Sequence, residues 1–182
     1  MGVLISSDDF KGRFAIPQST VQVGKLDAFI NDTEENYLND LMGAILYADF
    51  KSNLTNPGPP PTTATNKSKP TNAGYLAIYN SFNADYGSKL YRSKGMVAML
   101  LGFIFFDYMR QVKFKPTENG IIVNGVDTGN PVVIGNLYSY LNDATETYQA
   151  IQTYIQNIHP EQFSTTIVYN GQEKQFGISS FE

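Results

Sequence analysis

The sequence predicts a mainly α-helical fold, a compact helical bundle with small β-hairpin elements. Two observations support this prediction: an apolar run within residues 95–110, and a heptad pattern that continues through residues 133–158. The hairpin elements are predicted at residues 112–126 and 165–178 from alternating apolar residues and turn dipeptides. A chain of 182 residues is long enough for one domain with a sizeable core, so residues 1–182 are taken as a single domain.

The apolar run reads GMVAMLLGFIFF at residues 95–106 and carries no charged side chain. A helix that is apolar on all sides has to be covered on all sides. A membrane span needs about 20 such residues. Because Lys94, Asp107 and Arg110 flank the run closely, we expect the central buried helix of a globular fold and no membrane association.

The elements before this helix follow from caps and helical periodicity. Ser6 or Ser7 can cap a short helix that begins at Asp8 and ends near Ile16. A longer helix is predicted over residues 23–42, with one apolar face and with its acidic residues, including the pair Glu34 and Glu35, on the solvated side. Gly43 suits the end of this helix, and a short helix follows at residues 45–50.

Residues 53–72 contain five prolines and no aromatic residue, so the sequence predicts a long exposed loop there. Two interpretations remain open: a tolerated insertion, or an arm that becomes ordered on a neighbouring subunit. The second interpretation makes four loop residues candidate interface residues: Pro57, Pro59, Pro60 and Pro61.

Between the loop and the buried helix, residues 75–82 show a helical face that includes Phe82, and residues 83–88 are polar enough to form a turn. After the buried helix, alternation begins at Val112. Pro116 forbids helix continuation, and Asn-Gly dipeptides at 119–120 and 124–125 favour tight hairpin turns.

The last helix has apolar residues at 4-3 spacing, which is a heptad seam that needs a partner helix. These residues are Leu137, Leu141, Ala144, Tyr148, Ile151, Ile155 and Ile158. The buried helix can be that partner. Tyr140 and Tyr154 lie to one side of the seam and are therefore candidate interface residues.

His159-Pro160 ends the last helix, and residues 163–182 form a hairpin-like tail. A β-branched run at residues 165–169 precedes Asn170-Gly171 and a polar strand. The tail could complete the other hairpin or offer a strand edge to another chain, so three of its residues are candidate interface residues: Ile167, Tyr169 and Phe176.

Composition narrows the classes of function. The net charge of −4 disfavours a sequence-reading nucleic-acid binder, and the absence of cysteine excludes thiolate chemistry and cysteine-ligated metals. The N-terminus lacks the basic and apolar regions of a signal peptide, so export by that route is not expected.

Catalytic chemistry has no visible site in the sequence. The one histidine, His159, sits at a helix end, where it suits the helix dipole, and the adjacent carboxylate pairs diverge on a helix. No phosphate-binding glycine motif is present. We therefore expect no enzymatic activity, with no catalytic residue, no cofactor and no metal ligand.

The order and character of three segments resemble the head–tail connector (adaptor) proteins of tailed bacteriophages. The segments are ENYLNDLMG, YRSKGMVAMLLGFIFFDYMRQVKFKPTENGIIV and YIQNIHPEQF. The likeness is greatest to versions in phages of Bacteroidetes hosts, including the crAss-like group, where a Tyr- and Phe-rich helix precedes a turn. In this sequence, the residues that correspond to that turn are Thr117, Gly120, Ile121 and Val123. The proline-rich loop and the hairpin tail depart from the family pattern.

The resemblance implies a helical subunit of a ring, typically of twelve copies, in the virion at the head–tail interface. Its implied partners are other copies of itself, the portal protein and the next neck or tail ring, with passive, non-specific contact with genomic DNA in the channel. Such a ring is assembled in the host cytoplasm. The alternative from another class is a non-enzymatic, soluble helical binding module or regulator.

Overall fold

A computed structural model describes residues 4–16, 23–55, 68–117, 120–123, 132–163 and 171. The α-helices of the described residues are α1 (Val23–Met42), α2 (Ala44–Ser52), α3 (Ala73–Tyr79), α4 (Met96–Lys113) and α5 (Val132–Thr153). Their strands are β1 (Phe82–Tyr86), β2 (Lys89–Ser93), β3 (Phe114–Thr117) and β4 (Gly120–Val123). The predicted mainly-α class with small hairpins is confirmed.

Helix α4 is the buried helix that the apolar run predicts. Its core side chains are Met96, Met99, Leu100, Leu101, Phe103, Ile104, Phe105, Tyr108 and Met109. The helix continues to Lys113, so the expectation that an alternating strand begins at Val112 was wrong. Pro116 explains the end of the helix, because it has no N–H with which to bond the carbonyl of Val112.

Helix α5 packs along α4 through the predicted heptad seam. The seam residues from Leu137 to Ile155 are buried, and Ile158 is partly buried against the core. The two helices approach closely at Gly102, since a Cβ added there would lie 2.8 Å from the Cβ of Ala144. The predicted helix does not stay regular to residue 158, because Tyr154–Ile158 forms a π-helical turn.

Helix α1 has the predicted bounds and packs its apolar face on α4. The ring of Tyr37 stacks on that of Phe103 at a centroid distance of 4.5 Å. Gly43 has φ 76° and separates α1 from α2, which supports its predicted role at the helix end. The prediction that Glu34 lies on the solvated side was wrong, because this side chain is buried with 1% exposure.

Strands β1 and β2 form an antiparallel hairpin that the sequence reasoning missed. Residues 83–88 were expected to form a polar turn and Phe82 to extend a helical face, and both expectations were wrong. The turn residues are only Gly87 and Ser88, and Gly87 has φ 63°. Glycine adopts this conformation without the steric cost that other residues incur.

The hairpin predicted at residues 112–126 is present in shorter form, with β3 and β4 paired in antiparallel register from Phe114↔Val123 to Thr117↔Gly120. Residues 124–126 lie outside the described residues. Gly120 belongs to a strand, so it is not the central residue of the expected Asn-Gly turn.

The N-terminal residues do not form the expected single short helix. They form two 3₁₀ turns, Ser7–Asp9 and Gly12–Phe14. Ser6 is the N-cap residue of the first turn, as predicted, and its backbone N–H donates a hydrogen bond to the carboxylate of Asp9 at 2.9 Å. Gly12 has φ 60°, a conformation that interrupts a continuous helix.

Candidate functional site

The β1–β2 hairpin packs on the helical body through its inner face, where Phe82 and Ala84 contact the core. On the face toward the body, the ring of Phe82 lies 4.7 Å from that of Tyr154, and Ser93, opposite Phe82, is buried. At the other end of the same face, Tyr86 is 46% exposed. The tip of the hairpin therefore projects beyond the body.

The outer face of the hairpin consists of Asn83, Asp85, Leu90 and Arg92, all of which are exposed. No ion pair joins Asp85 or Arg92 to another described residue, and Leu90 keeps 45% of its surface exposed. Neither strand pairs with a third strand within the described part of the chain. This outer face combines an acid, a base and an apolar side chain, so it is the candidate interaction surface of the chain.

The two ends of the predicted proline-rich loop are joined by backbone hydrogen bonds. Leu54 and Pro70 form an antiparallel bridge, and the N–H groups of Thr55 and Thr71 donate to the carbonyls of Lys69 and Asn53 at 3.0 and 2.9 Å. The expectation that all of residues 53–72 are exposed was wrong, because Leu54 and Ser68 are buried. The four predicted interface prolines, residues 57 and 59–61, lie outside the described residues.

The two tyrosines predicted as interface residues contact their own chain. Tyr140 is half-buried, with its ring 5.4 Å from Phe14 and 5.2 Å from Phe105. Tyr154 is buried and donates from its hydroxyl to Gln162 Oε1 at 3.3 Å. The exposed tyrosine of α5 is Tyr138, at 46%. An additional contact of Tyr140 or Tyr154 with another chain stays a prediction.

The three tail residues in the predicted interface, Ile167, Tyr169 and Phe176, also lie outside the described residues, as do all residues of the predicted hairpin at 165–178 except Gly171. His159 ends the π-helical turn as expected, and its Nδ1 lies 2.9 Å from Oε1 of Glu161. This hydrogen bond lowers the pKa of the Glu161 carboxyl.

A buried carboxylate on α1 holds the N-terminal residues. The backbone N–H groups of Leu4 and Ile5 donate to Glu34 Oε1 and Oε2 at 3.1 and 3.2 Å. Both N–H groups lie in the core, where an unsatisfied donor is costly. Glu34 thus has a structural role that the sequence analysis did not assign.

Asp143 on α5 joins three parts of the fold. Its Oδ2 lies 2.9 Å from Arg13 Nη1 and 2.6 Å from Lys94 Nζ. Burial raises the pKa of Asp143, but the hydrogen bonds and charges of Lys94 and Arg13 outweigh this effect and hold the pKa below its ordinary value. No local sequence pattern indicates this cluster, because Arg13 and Asp143 are 130 residues apart.

Two buried tyrosines each donate a hydrogen bond to a partly buried carboxylate. The hydroxyl of Tyr37 donates to Asp107 Oδ2 at 2.7 Å, and that of Tyr75 donates to Asp49 Oδ2 at 2.5 Å. Burial, then the hydrogen bond to the carboxylate, raises the pKa of each phenol well above its usual range. Both phenols therefore stay protonated and act as fixed hydrogen-bond donors between helices.

Among the described residues, no group of three or more His, Cys, Asp or Glu side chains could hold a metal ion. No helix in the same part of the chain is both long and apolar enough to cross a membrane. No protein-family model, curated protein or solved structure matches this chain.

Proposed function

We propose that this chain is a structural subunit of the head–tail connector of a tailed bacteriophage. In this proposal, copies assemble into a ring, typically of twelve, between the portal protein and the next neck or tail ring. The proposal is supported by the resemblance of three segments of the sequence to connector proteins and by the surface of the β1–β2 hairpin.

The hairpin surface is the observation that carries the proposal. A closed ring is built from head-to-tail contacts, which require two different patches on each subunit. The hairpin supplies one such patch, and the contact between Phe82 and Tyr154 holds it on the body. Its outer face offers Asp85 and Arg92, which have no ion pair with another described residue. The exposed Leu90 lies opposite Asp85 and two residues from Arg92.

The proposed role is passive and requires no catalysis. Polar pairs inside the fold, such as Tyr37 and Asp107, form hydrogen bonds that stabilise the packing of helices. The net charge of −4 fits a subunit past which DNA slides, because a dense basic surface would hold the phosphate backbone through counterion release. We therefore propose the virion, at the head–tail interface, as its location, and the host cytoplasm as the place of assembly.

Charge reversal on the hairpin tests this function. We expect Asp85→Arg and Arg92→Asp each to reduce incorporation of the chain into particles at least tenfold, while the free subunit keeps its denaturant midpoint. Asp32→Arg, an equally exposed charge reversal on α1, is the matched control and should incorporate normally. Normal incorporation of both hairpin variants would contradict an assembly role for this surface.

A further inference from the structure

The outer face of the β1–β2 hairpin carries two opposite charges that have no partner in the described part of the chain. The strands pair in antiparallel register, with Asn83 opposite Arg92 and Asp85 opposite Leu90. All four side chains are exposed. No ion pair joins Asp85 or Arg92 to each other or to another described residue. Both charges are therefore open to contact with another molecule.

The four outer side chains lie at the corners of a small rectangle. Alternate residues on one face of a strand are about 7 Å apart, and residues opposite each other on paired strands have Cβ atoms about 5 Å apart. Asp85 and Arg92 therefore occupy one diagonal of the rectangle. The other diagonal joins the polar Asn83 to the apolar Leu90.

This arrangement of charges is complementary to itself. A two-fold axis that lies in the contact plane, along the diagonal from Asn83 to Leu90, places each of these residues against its own counterpart. The same rotation exchanges the corners that Asp85 and Arg92 occupy. Each Arg92 then faces Asp85 of the second copy, as a contact between identical patches requires, and all four charges are paired.

The two other simple placements of the axis do not pair the charges. An axis along the strands places Arg92 against Asn83, and an axis across the strands places Arg92 against Leu90. Both leave covered charges without partners, which is costly. In the diagonal arrangement, the strands of the two hairpins cross steeply, closer to the orthogonal than to the aligned class of sheet packing. The charges therefore select one geometry.

The uncharged diagonal also suits this geometry. The two Leu90 side chains, each 45% exposed in the free chain, meet on the axis and remove apolar surface from water. Asn83 can donate to its counterpart and accept from it, because an amide carries both kinds of group. No corner of the face meets a like charge.

We propose that free copies of this chain pair through the outer faces of their β1–β2 hairpins, related by this two-fold axis. The occupant of the face is a second copy of the chain. Four side chains from each copy cover far less than the about 800 Å² per partner of a standard protein interface. The pair is accordingly weak, and it forms at high protein concentration.

The pairing regulates assembly, and only this consequence rests on the proposed function. A two-fold contact uses the same patch on both copies, whereas a closed ring needs two different patches. A hairpin face that a second copy covers is therefore closed to the head-to-tail contact. Because the pair is weak, it dissociates when the contacts of an assembly compete for the same face.

Charge reversal tests the pairing, measured by sedimentation equilibrium over a concentration series that reaches the millimolar range. Asp85→Arg places arginines against arginines, and Arg92→Asp places aspartates against aspartates, so neither variant should pair alone. An equal mixture of the two variants restores both charge pairs and should associate at least tenfold more tightly than either variant. The chain with both substitutions should pair like the parent, because its charges are only exchanged.

The matched control is an equal mixture of Asp32→Arg and Lys25→Asp, two exposed charge reversals on α1. These substitutions change the net charges of the two chains as the hairpin substitutions do, but they leave the hairpin intact. The control mixture should associate no more tightly than its separate variants. General attraction between oppositely altered chains would instead raise the association of both mixtures.

An introduced cysteine locates the contact, and the native chain has no cysteine to interfere. Leu90→Cys and Tyr86→Cys replace side chains of nearly equal exposure, 45% and 46%, on opposite faces of the hairpin. Residue 90 lies on the proposed axis. With a short bismaleimide, Leu90→Cys should therefore give covalent dimers at least tenfold faster than Tyr86→Cys.

The proposal is overturned if the parent stays monomeric throughout the series, if the hairpin mixture gains no more than the control mixture, or if both cysteine variants cross-link equally fast. Incorporation into particles is a separate measurement. Reduced incorporation of the hairpin variants without any pairing contradicts only this proposal. Pairing of a chain that is absent from particles contradicts only the proposed function.

Discussion

Gly102 on α4 and Ala144 on α5 lie so close together that a methyl group at Gly102 would clash with Ala144. A Cβ at Gly102 would lie 2.8 Å from the Cβ of Ala144 and 3.0 Å from the carbonyl oxygen of Tyr140. We expect Gly102→Ala to destabilise the fold, because overpacking costs about 1–3 kcal/mol, while the better helix propensity of alanine returns at most about 1 kcal/mol.

The free energy of unfolding in denaturant measures this loss. Ala144→Gly removes one of the two clashing groups, so the double variant should lose less than the sum of the two single changes. Additive single losses would show that a methyl group at residue 102 does not clash with Ala144.

The heptad seam gives a second prediction. Ile151 is fully buried between α5 and the rest of the core, so Ile151→Ala should lower the free energy of unfolding by about 2–5 kcal/mol. Leu141→Ala, at 9% exposure, should behave similarly. Gln149→Ala on the exposed face of α5 is the control and should change stability by less than about 0.5 kcal/mol. An unchanged denaturant midpoint for Ile151→Ala would mean that the seam faces another chain.

A third prediction concerns Glu34, which accepts hydrogen bonds from the N–H groups of Leu4 and Ile5. Glu34→Ala should cost about 1–3 kcal/mol for each buried donor that loses its acceptor. Hydrogen exchange at the amides of residues 4 and 5 should also become faster. Asp32→Ala, an exposed position on the same helix, should leave this exchange unchanged. Equal protection in both variants would show that residues 4–16 are held by their apolar side chains alone.

Asp143 gives a pH-dependent prediction. Its folded pKa lies below the unfolded value of about 3.9, so its contribution is complete above that value and is lost as pH falls through the folded pKa. At pH near 7, Asp143→Asn should cost at most about 1 kcal/mol, because the ion pairs are partly exposed. The difference from the parent should shrink as pH falls below about 4.

Denaturant unfolding of both proteins at neutral and acid pH measures this change. The carboxyl of Glu161, whose pKa is also lowered, is present in both proteins and does not affect the comparison. A stability difference that is the same at both pH values would show that the ion pairs with Lys94 and Arg13 contribute nothing.

Sequence-based prediction succeeded where the local pattern of apolar residues determines a helix and its buried face. The uncharged run at residues 95–106 and the 4-3 spacing of α5 predicted two helices and their mutual contact, and the structure has both. The β1–β2 hairpin was not predicted, because three of its outer side chains, Asn83, Asp85 and Arg92, are polar and make a short strand look like a turn. The Gly87-Ser88 pair was the available signal.

The contacts that hold the N-terminal residues and Tyr140 could not be predicted from the sequence, for a different reason. Glu34 is buried because residues 4 and 5, far earlier in the chain, pack against it, and no local pattern marks such a partner. Likewise, the position of Tyr140 beside the seam suggested an external contact, but Phe14 from the N-terminal residues occupies that side. Which distant segment covers a helix face is a property of tertiary packing rather than of local periodicity.

A cryo-electron microscopy reconstruction of the head–tail interface of native tailed particles tests the proposed function most directly. The account predicts a ring between the portal and the next neck or tail ring, into each subunit of which the pair of α4 and α5 and the projecting β1–β2 hairpin fit without change. Particles in which this density is absent from the head–tail interface, or in which the chain is found elsewhere or not at all, would contradict it.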